Sequence, residues 1–143
     1  MTTRVHTLFS VGSSVVVVAA VVWGFVLVGS PATTRLQRFD QQRLDDLQTI
    51  VREIQSLCHD PDIKDKLKRP LPETLEELAS LARHERIDAT DPETGESYVY
   101  TIKDSTTYEL CATFALERNS DAQVFWNHPS GKHCFIVEAL DPP

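Results

Sequence analysis

The amino-terminal end of this sequence lacks charge. From Val5 to Thr34 there is no Asp, Glu, Lys or Arg, whereas all 21 acidic residues of the chain lie after Thr34. The whole chain carries a formal charge of −7, and an acidic protein repels the phosphate backbone of nucleic acids. We therefore expect no nucleic acid among its partners.

The sequence also lacks the short motifs of the common enzyme classes. It contains no Walker A loop, no Gly-x-Gly-x-x-Gly turn, no Gly-x-Ser-x-Gly elbow and no His-Glu-x-x-His helix. Cys58, His59 and Asp60 have the residue types of a catalytic triad, but neighbours on one segment cannot stack as nucleophile, base and orienting acid. We predict no catalytic residues, no enzymatic activity and no cofactor.

The uncharged segment predicts a transmembrane helix over residues 8–29. As an α-helix it would rise about 33 Å, which matches the roughly 30 Å of a bilayer's hydrocarbon core. The alternative is a cleaved signal peptide with Arg4 before its apolar core and Ser30-Pro31-Ala32 at the cleavage site, but that core is longer than usual. We expect a short tail at 1–7, an uncleaved anchor at 8–29 and an acidic soluble domain at 30–143.

Two small residues of this segment suggest a contact. Ala20 and Gly24 are four residues apart and would share one face of a helix, where small side chains let membrane helices approach closely. We predict that they contact a partner's transmembrane helix. The alternative is that Gly and Ala are simply common in membrane spans.

The charges flanking the span leave its orientation open. Arg35, Arg38 and Arg43 outnumber Arg4, which by the positive-inside rule would place the large domain in the cytoplasm. A disulfide and a family resemblance, both described below, favour export instead. We predict a bacterial inner-membrane, single-pass protein with its C-terminal domain in the periplasm.

After the span, the hydrophobic periodicity predicts an α+β domain. Apolar intervals of three and four from Thr34 to Cys58 indicate a long amphipathic helix, and Thr74 with Glu77 has the capping-box spacing that begins a short one. A period of two then indicates three antiparallel strands, near 98–102, 108–116 and 133–139. On the long helix, the predicted solvent-exposed side carries Arg35, Arg38, Arg43, Asp46, Arg52 and Glu53.

Strand parity supports a disulfide between Cys111 and Cys134. If Leu110 and Phe135 face the helix, both cysteines face away, and two cysteines on one face of neighbouring strands can come within bridging distance. The alternative is two separate, half-buried thiols. Cys58 falls on the apolar side of the long helix and is predicted to be a free core residue.

Two groups of residues are considered as metal ligands. The first group is His128, His133 and Cys134. Their spacing matches no known pattern of tetrahedral metal ligands, so a polar turn explains these residues better. Asp91, Glu93 and Glu96 supply the oxygen ligands that Ca²⁺ takes, although acidic turns are commoner without an ion. We predict no metal site.

Phe125 and Trp126 stand next to the last turn. They are either part of the core or an exposed contact patch, and the core interpretation is favoured.

The order of these elements resembles the pilin-like ectodomains of type II secretion pseudopilins. The resemblance rests on the helix pattern after the span and on residues 71–78 and 91–100. The chain is still more similar to uncharacterised bacterial single-span proteins that carry Gly-Ser-Pro-Ala after the span, Tyr-Glu-Leu-Cys-Ala-Thr-Phe in a strand and a late Cys-Phe, here residues 29–32, 108–114 and 134–135. It implies a pilin-like fold on a membrane anchor.

One position departs from the pseudopilin pattern. Pseudopilins carry a Glu at the fifth mature position, which guides assembly into a filament. Aligned on Gly12, this chain has Val17 there, so we do not expect filament assembly.

These expectations combine into one prediction of function. The chain would be a non-enzymatic, single-pass membrane-anchored structural or accessory subunit of a larger membrane protein complex, with an energy-transducing complex, respiratory or photosynthetic, as one candidate. Its partners would be other membrane subunits, contacted through the span and the acidic domain, and membrane lipid. The alternatives are a minor pseudopilin-like component of a secretion or pilus system, and an enzyme or cofactor-binding module without a recognisable site.

Overall fold

The computed structural model describes the chain except for residues 1, 29–30, 60–66, 83 and 142, and within the first helix it describes the side chains of His6 and residues 11–24. The chain forms two compact units, residues 1–35 and 36–143. Over the described residues the fold is α+β, with three α-helices and one three-stranded antiparallel sheet. The predicted α+β class is therefore right for the second unit.

The first unit corrects the predicted anchor. Helix α1 is Thr2–Val28, and among the described residues no helix combines the length and the apolarity needed to cross a membrane. The predictions of a transmembrane helix at 8–29, of a fold class that includes it and of a single-pass inner-membrane protein with a periplasmic domain are therefore wrong.

Helix α2, Pro31–Cys58, supplies one side of the core of the second unit. Its apolar positions are buried as the periodicity predicts, with Leu47, Ile50 and Ile54 inaccessible to solvent. The predicted solvent-exposed side is wrong at two positions, however. Arg43 is only 3% exposed and Glu53 only 2%, because both find polar partners on segments far along the chain.

Helix α3, Leu75–Leu81, begins where the capping box predicts. The Thr74 hydroxyl accepts a hydrogen bond from the Glu77 backbone N–H at 3.1 Å, and the Glu77 carboxylate accepts one from the Glu73 N–H at 2.7 Å. Leu75 and Leu78 are buried in the core. The cap thus satisfies one of the amides that a helix leaves unpaired at its first turn, that of Glu77, together with the amide of Glu73 just before the N-cap.

The sheet consists of β1 (Val99–Ile102), β2 (Thr107–Phe114) and β3 (Gly131–Glu138), with β2 in the centre. Strand β2 ends two residues earlier than predicted. The N–H groups of Ala115 and Leu116 donate to the Asp40 carboxylate at 2.9 and 2.8 Å instead of extending the ladder. One face of the sheet packs on α2. Cys111 and Cys134 lie on the opposite face.

These two cysteines are directly opposite each other in the β2–β3 register, with their Cα atoms 4.0 Å apart, and they form a disulfide. This is the pair that strand parity selects. Cys58 is a free, buried thiol, and its burial raises the pKa of that thiol. The bond joins the central strand to the edge strand across a separation of 23 residues.

Reduction of this disulfide should lower the free energy of unfolding by about 3 kcal/mol, because closing a loop of this length restricts the unfolded chain. Denaturant unfolding with and without reductant measures the difference. The Cys111→Ala/Cys134→Ala variant is the control and should not respond to reductant. Peptide mapping that finds all three thiols alkylated without reduction would contradict the bond.

Candidate functional site

A highly charged site among the described residues of the second unit is built around the Arg43 guanidinium. Its Nε and Nη2 atoms bind both oxygens of Asp91 at 2.6 and 2.9 Å. Nη1 binds Asp40 at 2.8 Å and Nη2 also binds Glu93 at 2.9 Å. A single cation of α2 is thus surrounded by carboxylates from its own helix and from the turn before β1.

The carboxylates of this cluster are themselves held by the backbone. Asp91 accepts the N–H groups of Glu93 and Thr94, each at 2.9 Å, in a turn that Gly95 completes with a φ of +73°. The hydrogen bond from Arg43 is the main cause that lowers the pKa of Asp91 to about 2, and Asp91 in turn raises the pKa of Arg43. The Arg43–Asp91 pair therefore stays charged throughout the physiological range.

This arrangement changes the interpretation of the acidic turn. Both Asp91 oxygens, which were considered as calcium ligands, are bound by the Arg43 guanidinium. The cation that the turn holds is therefore a side chain of the protein itself. We assign the cluster a structural role, since it joins α2, the 91–95 turn and, through Asp40, the end of β2.

Glu53 is the second buried acid of α2. Its carboxylate accepts the Glu85 N–H at 2.8 Å, and His84 Nδ1 lies 3.8 Å away. Nearby on the same helix, Asp46 accepts the Tyr98 hydroxyl at 2.8 Å, and burial raises the pKa of Asp46. These contacts hold the connecting segments against the helix.

His128 is only 4% exposed and stacks on Phe114 with ring centroids 3.6 Å apart. Its Nδ1 lies 3.1 Å from the Pro129 carbonyl oxygen, so Nδ1 carries the proton and Nε2 is left as an acceptor. Within the described part of the chain, Nε2 and the Arg118 Nε have no hydrogen-bond partner. Burial lowers the pKa of His128, and the charges of His133 and Arg118 act in the same direction, whereas the hydrogen bond to the Pro129 carbonyl and the charge of Asp40 oppose the shift.

His128 and His133 do not form a metal site with Cys134. Among the described residues, the one group of potential ligand atoms close enough to hold an ion is Glu109, Cys111 and Cys134. The two sulfur atoms of that group are bonded to each other, and a disulfide sulfur is not the thiolate that binds metals.

A groove of about 390 Å³ lies between α2 and the segment before β3. Phe125 and Trp126, which the sequence assigned together to the core, have different roles here. Trp126 is buried against Phe135 at 4.9 Å, whereas Phe125 is 38% exposed and Val124 is 69% exposed. The groove is lined by Gln48, Val51, Arg52, Gln55, residues 122–126 and Pro143.

The segment that carries these apolar side chains is held at both ends. Arg118 and His128 exchange backbone hydrogen bonds of 2.9 and 3.2 Å, and the Asn127 side chain bonds both to the Ser120 N–H and to its carbonyl. The Phe125 ring also contacts Trp126 and Phe135, at 5.1 and 5.8 Å. Phe125 is therefore fixed in position although it is partly exposed.

Ala20 and Gly24 lie on α1, Ala20 exposed and Gly24 half-exposed. A Cβ added at Gly24 would meet no atom within 4 Å. Their predicted contact assumed a membrane span, and that assumption is wrong for the described residues.

The chain matches no protein family, no curated protein and no solved structure. The resemblance to pseudopilins and to bacterial single-span proteins therefore stays a prediction.

Sequence reasoning missed the pairing of Arg43 with Asp91. The two residues are 48 positions apart, and a lone arginine beside Leu44 in an amphipathic pattern has no local feature that marks it as buried. The acidic residues of the 91–96 turn are visible in the sequence, but their spacing does not identify the partner that they bind.

Replacing Arg43 by Met should lower the free energy of unfolding by about 3–5 kcal/mol, because Asp40 and Asp91 would remain buried without their cation. Arg52→Met is the control, since the exposed Arg52–Glu85 pair at 3.1 Å should contribute less than about 1 kcal/mol. Denaturant unfolding measures both. Equal losses in the two variants would rule out the central role of Arg43.

The lowered pKa of His128 makes stability depend on pH. Below the unfolded-state value of about 6.5, the unfolded chain binds a proton that the buried imidazole resists, so stability contributed by the neutral ring is present above that pH and is lost as the pH falls below it. Unfolding measured between about pH 5 and 7.5 should show this loss, and His128→Asn should reduce it. An unchanged pH profile in the variant would contradict the assignment.

Proposed function

We propose that this protein is a non-enzymatic structural or accessory subunit of a larger protein assembly, and that a partner protein docks in the groove beside Phe125. The observation that carries the proposal is a rigid, partly exposed aromatic side chain next to an exposed valine in a concave surface. Protein interfaces concentrate their binding energy in such anchored aromatic groups.

The immobilised segment supports a docking role because it reduces the cost of binding. Phe125 already contacts Trp126 and Phe135, and the Asn127–Ser120 bonds close the segment. Little side-chain freedom would be lost when a partner covers the ring, so more of the burial free energy contributes to affinity.

The lining of the groove indicates the chemistry of the partner. Val124 and Phe125 provide an apolar centre, and the facing turns of α2 provide amide and guanidinium groups from Gln48, Gln55 and Arg52. A partner segment with an apolar side chain, flanked by hydrogen-bond acceptors, would match both. Apolar centres with polar rims are the usual anatomy of such interfaces.

The polar interior supports a structural role in a different way. The Arg43 guanidinium is bound by three carboxylates, and Glu53 is bound by a backbone amide. These buried charges hold segments of the fold together, and each has its partner within the second unit.

The test is to recover the native assembly from source cells that carry a tagged chain. Val124→Asp and Phe125→Ala should each lower the recovery of the co-purifying subunit by about tenfold or more, as expected when an interface anchor is lost. Val99→Asp is the matched control, because Val99 is also an exposed valine but lies on the sheet, away from the groove.

Thermal unfolding of each variant separates lost docking from lost folding. A stoichiometric partner that stays equally bound to Val124→Asp, Phe125→Ala and Val99→Asp would refute the groove as the docking site. Purification of the wild-type chain without any stoichiometric partner would refute the proposed function.

A further inference from the structure

Strand β3 is an edge strand of eight residues, with β2 on one side only. Within the described part of the chain, no hydrogen bond reaches its other side. Ile136, in the middle of the outer sheet face, is 61% exposed. An open strand edge is a template for pairing with another extended chain.

The register shows which backbone groups of β3 face the open edge. The Cα atoms of Cys111 and Cys134 are 4.0 Å apart, the spacing of a pair without mutual backbone hydrogen bonds, and the Ala139 N–H bonds the Thr106 carbonyl at 2.8 Å. Odd-numbered residues of β3 therefore bond β2. The even-numbered residues direct their N–H and C=O groups to the open edge, and these are Lys132, Cys134, Ile136 and Glu138.

The side chains of these four residues are complementary to the same four side chains on a second, antiparallel copy of β3. All four point to the outer face of the sheet, since residues 135 and 137 are buried on the inner one. Lys132 and Glu138 are exposed at opposite ends of the strand, and no ion pair among the described residues involves either. Lys132 and Glu138 have opposite charges and lie equally far from Phe135, on either side of it. A second copy of β3 that runs antiparallel would therefore place each charge opposite its counterpart.

We propose that β3 pairs antiparallel with β3 of a second copy of this chain, about a two-fold axis at Phe135, to form a continuous six-stranded sheet. In this register Lys132 is opposite Glu138 of the second copy and Cys134 is opposite its Ile136. All four outward-facing residues then form hydrogen-bonded pairs, with up to about eight bonds between the copies. Each exposed Ile136 is covered by the disulfide of the other copy.

No other register both pairs the outward-facing backbone groups and places Lys132 opposite Glu138. A shift that pairs even with odd residues would oppose outward-facing groups to inward-facing ones, because backbone groups alternate along a strand. A shift by two or more residues would separate Lys132 from Glu138. The charge of −7 on each copy disfavours association in general, so we expect a weak dimer whose pairing depends on these local contacts.

A charge exchange in the full chain tests the register. Lys132→Glu places two pairs of like charges in the dimer and should weaken it by about tenfold, as should Glu138→Lys. The Lys132→Glu/Glu138→Lys double variant should restore the wild-type dissociation constant. An equimolar mixture of the two single variants should form the heterodimer, which also shows that both are folded.

Sedimentation velocity at about 150 mM salt measures these dissociation constants. Arg86→Glu is the control for the change in net charge, because Arg86 is exposed and lies before the sheet. A double variant as weak as the singles, or a chain that is monomeric at all concentrations, would overturn the proposal. Association with a different protein through β3, without self-association, would also overturn it.

A zero-length cross-link gives independent evidence. Carbodiimide activates the Glu138 carboxyl, and attack by the Lys132 amine forms an amide bond with release of the urea. Within one strand these residues are about 20 Å apart, so a Lys132–Glu138 amide can form only between two copies. Mass spectrometry should find this linked peptide in the dimer band, and its absence from a cross-linked dimer would refute the register.

Ile136→Pro provides the last variant. It removes an N–H that faces the open edge and breaks no bond to β2, which edge strands tolerate. We expect the dimer to be lost while the unfolding transition remains cooperative. A dimer that persists in this variant would contradict pairing through β3.

Discussion

The fold depends on one buried guanidinium. Arg43 neutralises Asp91 and Asp40, two acids that are themselves removed from water, and none of the three would be tolerated there without the others. Through these carboxylates the helix fixes the 91–95 turn that leads into β1 and the backbone where β2 ends. Both ends of the β1–β2 hairpin are therefore positioned by charge as well as by apolar packing.

The parts of the fold that follow local rules could be predicted from the sequence. Leu47 and Ile54 are buried because a period of 3.6 places them on one face, and Thr74 caps α3 because its hydroxyl reaches an amide three residues on. The Cys111–Cys134 pair follows from strand parity. Arg43 could not be predicted in this way, because its burial depends on Asp91, 48 residues later, and no pattern within the helix records that partner.

The error over residues 8–29 and the error over Phe125 have a common cause. Composition measures how apolar a segment is and does not measure what surrounds it. The uncharged segment is long enough in sequence to predict a transmembrane helix. Among the described residues, however, no helix is both long and apolar enough to cross a membrane. Phe125 and Trp126 are adjacent and equally aromatic, yet only Trp126 is buried, because the 3₁₀ turn at Val124–Trp126 directs the two rings differently.

An open edge strand usually exposes a protein to uncontrolled aggregation. Several features of β3 instead favour the single pairing proposed above. The disulfide to β2 holds the strand in a single register with respect to the sheet, so its outward-facing groups have fixed positions. Charges of opposite sign at Lys132 and Glu138 oppose a parallel or shifted neighbour, since either would bring like charges together or leave both unpaired. The groove beside Phe125 lies against α2, whereas Ile136 lies on the other face of the sheet. The proposed docking in the groove and the proposed pairing through β3 therefore use separate surfaces, so a dimer would leave the groove of each copy open.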